Sequence, residues 1–430
     1  MRDYIYLIVA SDKLLLEPGT MDPTRNPFAP GAGTQPPELA GRASIIANAT
    51  IALSRIKLGR AAQSQMLLGL RGVGKTVLLN RIAEIAEKDG YATVVLEAPE
   101  DRRLAEMLVP PLRSLLFRLS RVENAKDAAR RGLGVLRAFA SAFKVKVGDI
   151  EFGIQAETGT ADSGTLESDL PELLLAVAAA AREARNAVAL FVDEVQYLSG
   201  EDLGALIVSA HKMAQRSLPF IAFGAGLPQL AGLAGEAKSY SERLFEYPDV
   251  GPLAAEAAQD AIREPMRREG VNISEGALDR IVEKTRGYPY FLQEWGYHAW
   301  NVATSSPVTP EDAERATANA LERLDKGFFR VRLDRLTPRE KDYVRAMAAL
   351  GPGPHRSGEI AQKLSMDVTT AGPLRNGVIK KGMVYSPQHG DTAFTVPVFD
   401  EFMRRSMPDW APPGAQPPAD AGHKRRRRRR

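Results

Sequence analysis

The chain has 430 residues, with 57 Lys and Arg against 53 Asp and Glu, 44% hydrophobic residues and no cysteine. That length and balance suit a globular protein of two to four domains, at roughly 100–200 residues each. The lack of cysteine excludes disulfides, cysteine-ligated zinc and a cysteine nucleophile, and five scattered histidines offer no ligand spacing. The net charge of +4 belongs to the end of the chain: setting aside the seven cations of Lys424–Arg430 leaves 50 basic residues against 53 acidic ones, a net of −3. Such a run binds polyanions by releasing counterions, or serves only as a solubilising tail. No apolar run reaches the roughly 18–20 residues of a membrane helix. Tyr4–Ala10 is too short and is followed by Asp12 and Lys13. A cytoplasmic protein with no membrane attachment is expected, and Met21 is an alternative start to Met1.

In chain order, residues 1–36 read as a largely irregular leader, rich in Pro and Gly from residue 17 onward. A helix is predicted over Arg42–Leu58. Gln65–Leu68 is a short, mostly apolar stretch of the kind that forms a buried parallel strand. It runs straight into Gly69-Leu70-Arg71-Gly72-Val73-Gly74-Lys75-Thr76. This octapeptide fits G-x-x-x-x-G-K-[ST], the phosphate-binding loop. Its glycines let the backbone wrap an anion, and its N–H groups point inward at a helix N-terminus. Lys75 is placed to reach the β- and γ-phosphates of ATP, and Thr76 to offer a hydroxyl to Mg²⁺. Val77, Leu78, Ile82 and Ile85 then recur at helical spacing over Lys75–Lys88.

Thr93–Glu97 is a second predicted strand and Arg103–Val122 a helix. Phe143–Val147 and Ile150–Ile154 alternate about Gly148-Asp149, a two-residue hairpin signal near 143–154. Leu170–Arg185 is an alanine-rich helix. Val188–Val192 is a third strand and ends in Asp193-Glu194. In that position Asp193 would hold Mg²⁺, directly or through water, and Glu194 would deprotonate the attacking water. Phe220–Phe223 is a fourth strand. Strands alternating with helices predict an α/β fold with a parallel sheet.

At this point the chain resembles the AAA+ ATPases, and within them the origin-recognition-complex-like group, over residues 26–408. The residues that carry the resemblance are Pro36–Arg42, the phosphate loop, Asp193–Leu198 and Ser241–Phe245. The resemblance implies a P-loop ATPase core over 37–250, a helical lid over 251–330, a winged helix over 331–408 and a disordered tail over 409–430. It implies that the segment ending in Arg42 lies against the adenine. It also implies that Arg243 is an arginine finger acting on a neighbouring subunit of a homo-oligomer; otherwise Arg243 pairs with Glu242 or Glu246. Two positions depart from the group. The fourth strand continues Gly224-Ala225-Gly226 where a polar sensor residue is usual. The lid carries Gly287-Tyr288-Pro289 where glycine followed by a sensor arginine is usual; the Gly-x-Pro resembles signal-transduction ATPases, in which that proline lies near the adenine. The aromatic cluster from Tyr288 to Trp300 suits a lid core better than base stacking.

In the C-terminal region Thr337-Pro338-Arg339-Glu340 is a capping box. Helices follow to about Leu350, over Ser357–Leu364 and over Thr369–Lys381. Strands over Met383–Ser386 and Ala393–Val396 complete a winged-helix pattern. The third helix would face DNA with Thr369, Thr370, Arg375, Asn376, Lys380 and Lys381. Two functions are therefore expected. One is an ATPase coupled to DNA engagement by the winged helix and the basic tail. The alternative is a nucleotide switch that binds a protein partner and hydrolyses ATP slowly.

Overall fold

The computed structural model describes residues 21–31, 33–99, 102–145 and 155–412. The described residues fall into two compact units, divided at Gly41/Arg42, Gly251/Pro252 and Glu322/Arg323. The larger unit opens with α1 (Ala43–Lys57), β1 (Ser64–Leu68), α2 (Lys75–Lys88), β2 (Ala92–Glu97), α3 (Leu104–Leu119), α4 (Lys126–Ala142) and α5 (Leu166–Glu183). It continues with β3 (Val188–Asp193), α6 (Gly200–Gln215), β4 (Phe220–Gly226), α7 (Leu230–Ala237), α8 (Ser241–Leu244) and β5 (Phe245–Glu246).

The five strands form one parallel sheet in the order β2-β3-β4-β1-β5. Every residue of β3 and β4 is buried, as expected of central strands covered on both faces. Successive side chains part to opposite faces. Leu190, Val192 and Ala222 join the core built by α3 to α6. Phe191 and Phe223 point the other way and stack at 5.2 Å. The predicted strands are present, and β4 runs on to Gly226. The sequence reading missed α4 and the two-residue β5. Of the expected hairpin, Phe143 and Lys144 instead close α4 in a turn, with Phe143 N–H bonded to Phe139 O at 3.1 Å; residues 146–154 lie outside the described residues, as do Tyr4–Ala10 and Lys424–Arg430.

The smaller unit is helical: α9 (Ala255–Arg268), α10 (Glu275–Thr285), α11 (Pro289–Val302) and most of α12 (Pro310–Leu324). Tyr288, Phe291, Trp295 and Trp300 are each at most 2% exposed, so they are the core of this unit and offer no face to a base. Residues 22–28 of the leader hold one 3-10 turn, Pro23–Arg25, and pack into this unit. Trp300 Nε1 donates to Asp22 O at 2.8 Å, Asn26 Nδ2 to Tyr297 O at 3.0 Å, and Arg25 pairs with Glu269 at 3.0 Å. Phe28, 2% exposed, is buried with Gly296 beside its ring.

After α12 the chain returns to the larger unit through a π-helical turn, Asp325–Phe329, and α13 (Arg330–Asp334). The C-terminal module is α14 (Pro338–Leu350), β6 (His355–Arg356), α15 (Ser357–Lys363), α16 (Val368–Lys380), β7 (Val384–Tyr385), β8 (Asp391–Phe394) and α17 (Phe399–Ser406). The capping box forms as written, and β6, β8 and β7 make a small antiparallel sheet. Phe329, Phe394, Phe399 and Phe402 pack together beneath it. Phe28→Ala should lower stability by about 3 kcal/mol, the usual cost of emptying a buried phenylalanine site. Urea unfolding checks this, and an unchanged midpoint would mean the leader is not part of the folded unit.

Candidate nucleotide site

β1 and β3 end on the same edge of the sheet with β4 between them, and both candidate motifs sit at those carboxyl ends. Ligands of open parallel sheets bind on this edge. The loop after β1 is clamped on both sides. Leu68 N–H donates to Pro248 O at 2.9 Å, Val250 N–H to Leu68 O at 2.6 Å, and Gly69 N–H to Gly226 O at 3.1 Å. A Cβ on Gly69 would lie 2.2 Å from Val250 O, so only glycine lets the backbones approach this closely. Gly74 caps α2 at φ 92°, in the left-handed region. Lys75 and Thr76 therefore form the first turn of a helix whose N-terminus favours an anion.

Lys75 is buried, and its Nζ donates to Leu70 O at 2.9 Å. Burial pushes its ammonium down from the usual lysine range, while Glu194 and then Asp193 hold it up. Thr76 Oγ1 donates to Asp193 Oδ2 at 2.5 Å, and Glu194 N–H to Asp193 Oδ1 at 2.8 Å. Burial pushes the Asp193 carboxyl above its usual range against those two bonds. A hydroxyl beside a carboxylate is the hard-oxygen donor set that Mg²⁺ takes, with phosphate and water completing its shell. These residues therefore fit the metal that the motifs imply. Glu194 sits at φ 54°, a left-handed turn that swings the chain into Val195–Tyr197.

The flanking candidates fall in different places. Arg42 is buried, and its guanidinium donates to Val73 O at 3.2 Å and to Gly251 O. Burial pushes its proton affinity down and the charge of Asp249 holds it up. Arg243 is exposed on α8 and makes no ion pair with Glu242 or Glu246 among the described residues. It lies beside β5, whose Phe245 pairs with Ser64 at the start of β1. At about 3.3 Å per residue that is roughly 13 Å of strand from the phosphate loop of the same chain. Pro289 opens α11 in the smaller unit, half-buried.

Arg71, inside the phosphate loop, meets a part of the chain that sequence reasoning did not connect to it. Its N–H donates to Thr395 O at 3.3 Å, and its guanidinium donates to Tyr197 Oη. A Cβ on Gly382 would lie 2.8 Å from an Arg71 guanidinium nitrogen and 3.2 Å from Tyr197 Oη. Gly382 and Thr395 flank the β7–β8 hairpin, so the C-terminal module is seated on the phosphate loop.

The module's expected DNA-reading cations need correcting. Arg375 donates to Thr392 Oγ1 at 2.9 Å, Ser386 Oγ at 2.8 Å and Asp391 O at 3.0 Å, which bolts α16 to the hairpin. Lys381 pairs with Glu340 at 2.6 Å and donates to Arg335 O at 3.0 Å. Both are committed inside the module because a hairpin and a buried capping-box acid need those donors. Thr369, Thr370, Asn376 and Lys380 are exposed.

The raised Asp193 pKa carries a sign. The folded state keeps this proton to higher pH than the unfolded state, so ionising Asp193 costs stability as pH rises past the usual carboxylate range. Asp193→Asn should therefore raise the melting temperature of the purified protein at neutral pH while weakening Mg²⁺-dependent ATP binding. Calorimetric melting with and without Mg²⁺-ATP tests both; a variant that melts lower without ligand would contradict the burial argument.

Residues 38–223 match the family model of the AAA ATPase domain, and residues 326–403 match a domain of unknown function (DUF8462). No curated protein matches the chain in sequence. Among solved structures, a Walker-type ATPase of Pyrococcus abyssi aligns over 86% of this chain and 98% of its own at 19% identity, with a TM-score of 0.55. The ORC1 protein of Aeropyrum pernix, solved in complex with DNA, aligns over 89% and 96% at 14% identity and TM-score 0.45. Cdc6p of Pyrobaculum aerophilum aligns over 90% and 99% at the same identity of 14% and TM-score of 0.45. The first likeness shows the fold, and the other two are too distant to add to it. The chain carries an AAA ATPase domain over residues 38–223.

Proposed function

We propose that this chain binds ATP with Mg²⁺ and hydrolyses it to ADP and phosphate. The observation that carries this reading is the gathering of Lys75, Thr76, Asp193 and Glu194 at the carboxyl ends of two strands, with Thr76 Oγ1 2.5 Å from Asp193 Oδ2. Backbone N–H groups of Gly72–Thr76 cradle the phosphates, and Lys75 neutralises the β- and γ-oxygens. Thr76 and Asp193 hold the magnesium ion. Bound there, it supplies charge stabilisation of the transferring phosphoryl group. Glu194 orients the attacking water and accepts its proton. Arg42 fixes the loop through Val73 O. Arg243, unpaired and distant from its own loop, serves a neighbouring copy as the finger of an origin-recognition-like assembly.

The C-terminal module is the output. Its seat on Arg71 favours the nucleotide switch: a change at the loop alters the surface that holds Thr395 and Gly382, and a protein partner reads the result. The DNA reading keeps support from exposed Lys380 and from the cationic run Lys424–Arg430, and it names the module a winged helix.

Lys75→Ala should abolish ATP binding in a fluorescent-nucleotide titration. Glu194→Gln should keep binding and slow hydrolysis by about 100-fold or more; turnover at the wild-type rate would remove Glu194 as the base. Mixing Glu194→Gln with Arg243→Ala subunits should restore part of the activity that each lacks alone, and no recovery would argue against a finger in trans. For the output, amide exchange over residues 382–396 should be faster with one nucleotide than with the other under the switch reading. Under the DNA reading, duplex affinity should fall with salt, with Lys380→Ala and with removal of residues 424–430.

A further inference from the structure

β4 lies between the two strands that carry the site, yet Gly224, Ala225 and Gly226 bring no polar side chain to its end. A polar group reaches that spot from the turn after β3. Gln196 Oε1 accepts from Leu227 N–H at 3.1 Å, and Gln196 Nε2 donates to Glu194 Oε2. A Cβ on Gly226 would lie 2.9 Å from Gln196 Oε1 and 2.8 Å from Leu230 Cδ2. Glycine at 226 is thus the space the Gln196 amide fills. The left-handed backbone at Glu194 makes the contact possible, because it turns the side chain two residues on back toward the Glu194 carboxylate. Both ends of the amide are engaged in this geometry: its oxygen is anchored on the chain leaving β4, and its nitrogen is held against one carboxylate oxygen.

We propose that Gln196 is the positioning residue for Glu194. It is a strut from the end of β4 that fixes the carboxylate through Oε2 and leaves Oε1 to face the attacking water. The step it serves is the transfer of a proton from that water to Glu194 as the water oxygen bonds to the γ-phosphorus and the bond to the ADP oxygen breaks. Gln196 itself exchanges no proton. This rests on the reading of Glu194 as the base. A carboxylate free to rotate spends less time in the productive orientation, and a misplacement of that kind costs up to about 100-fold in rate. ATP binding, which runs through the loop and the metal ligands, is untouched.

The decisive variant is Gln196→Glu, compared with Gln196→Ala and Glu194→Gln in steady-state ATP hydrolysis and thermal melting. Glutamate keeps an oxygen for Leu227 N–H but replaces the donor to Glu194 with a second acceptor. Positioning predicts kcat down about 10- to 100-fold in both Gln196→Glu and Gln196→Ala, with KM for ATP at the wild-type value. A purely structural role, capping Leu227 N–H, predicts wild-type kcat in Gln196→Glu and a lower melting temperature in Gln196→Ala. A wild-type or raised kcat in Gln196→Glu, or a loss confined to KM, overturns the proposal. If Glu194→Gln is itself fully active, the base assignment has failed and the strut fails with it. If Glu194→Gln is inactive while Gln196→Glu is not, only the strut has failed.

Discussion

Asp193 and Lys75, each 7% exposed, are charged groups held in the edge of a core, and the geometry around them follows from the need to give each its hydrogen-bond partners. Asp193 sits one strand away from Lys75 and Thr76, because β4 is threaded between β1 and β3. The carboxylate is satisfied by one hydroxyl and one backbone N–H, at 2.5 and 2.8 Å. Those bonds require α2 to start where Gly74 turns it and the chain after β3 to turn sharply at Glu194. β4 can pass between only with its end stripped to glycine and alanine. The same residues that line the candidate site are the ones that make the burial of its charges tolerable.

The C-terminal module spends its cations differently from what their charge alone suggests. Glu340 caps α14, lies against Gly377 of α16 and takes Lys381. Burial pushes its carboxyl up, but bonds from Lys381 and Thr337 outweigh this and hold it below the usual range. Arg375 ties the same helix to the hairpin through three acceptors. A hairpin with two-residue and four-residue strands has little ladder of its own and is marginal in isolation. Side-chain donors from α16 supply the missing restraint. A stiffened hairpin is also what allows Thr395 to present its carbonyl to the phosphate loop at a fixed place.

What was legible in the sequence was what is written locally. Gly69–Thr76 and Asp193-Glu194 carry their chemistry in adjacent residues, and the apolar runs before them announce buried strands. The capping box at Thr337 was read for the same reason. What was missed depends on distant partners or on weak local signals. α4 contains Gly132 and Gly134, which lower helix propensity, and it owes its form to packing on α3 and α5. β5 is two residues long and exists only as an edge on β1. Arg375 and Lys381 looked like a DNA face because sequence gives a charge without its partner. The leader looked irregular, but among its described residues Asn26 and Phe28 find their places on α11, some 270 residues along the chain. Gln196 was readable as a polar residue beside Glu194, and its contacts become visible only when Gly226 and Leu227 are brought next to it.

Arg42 is the first residue of the larger unit, and Gly251, whose carbonyl it holds, is the last before the chain leaves that unit. Two of the three points at which the chain passes between units are therefore fastened to each other by one guanidinium. The same group also grips Val73 O at 3.2 Å. One planar cation thus joins the first residue of the larger unit, the residue at which the chain leaves it for Pro252, and the loop between β1 and α2.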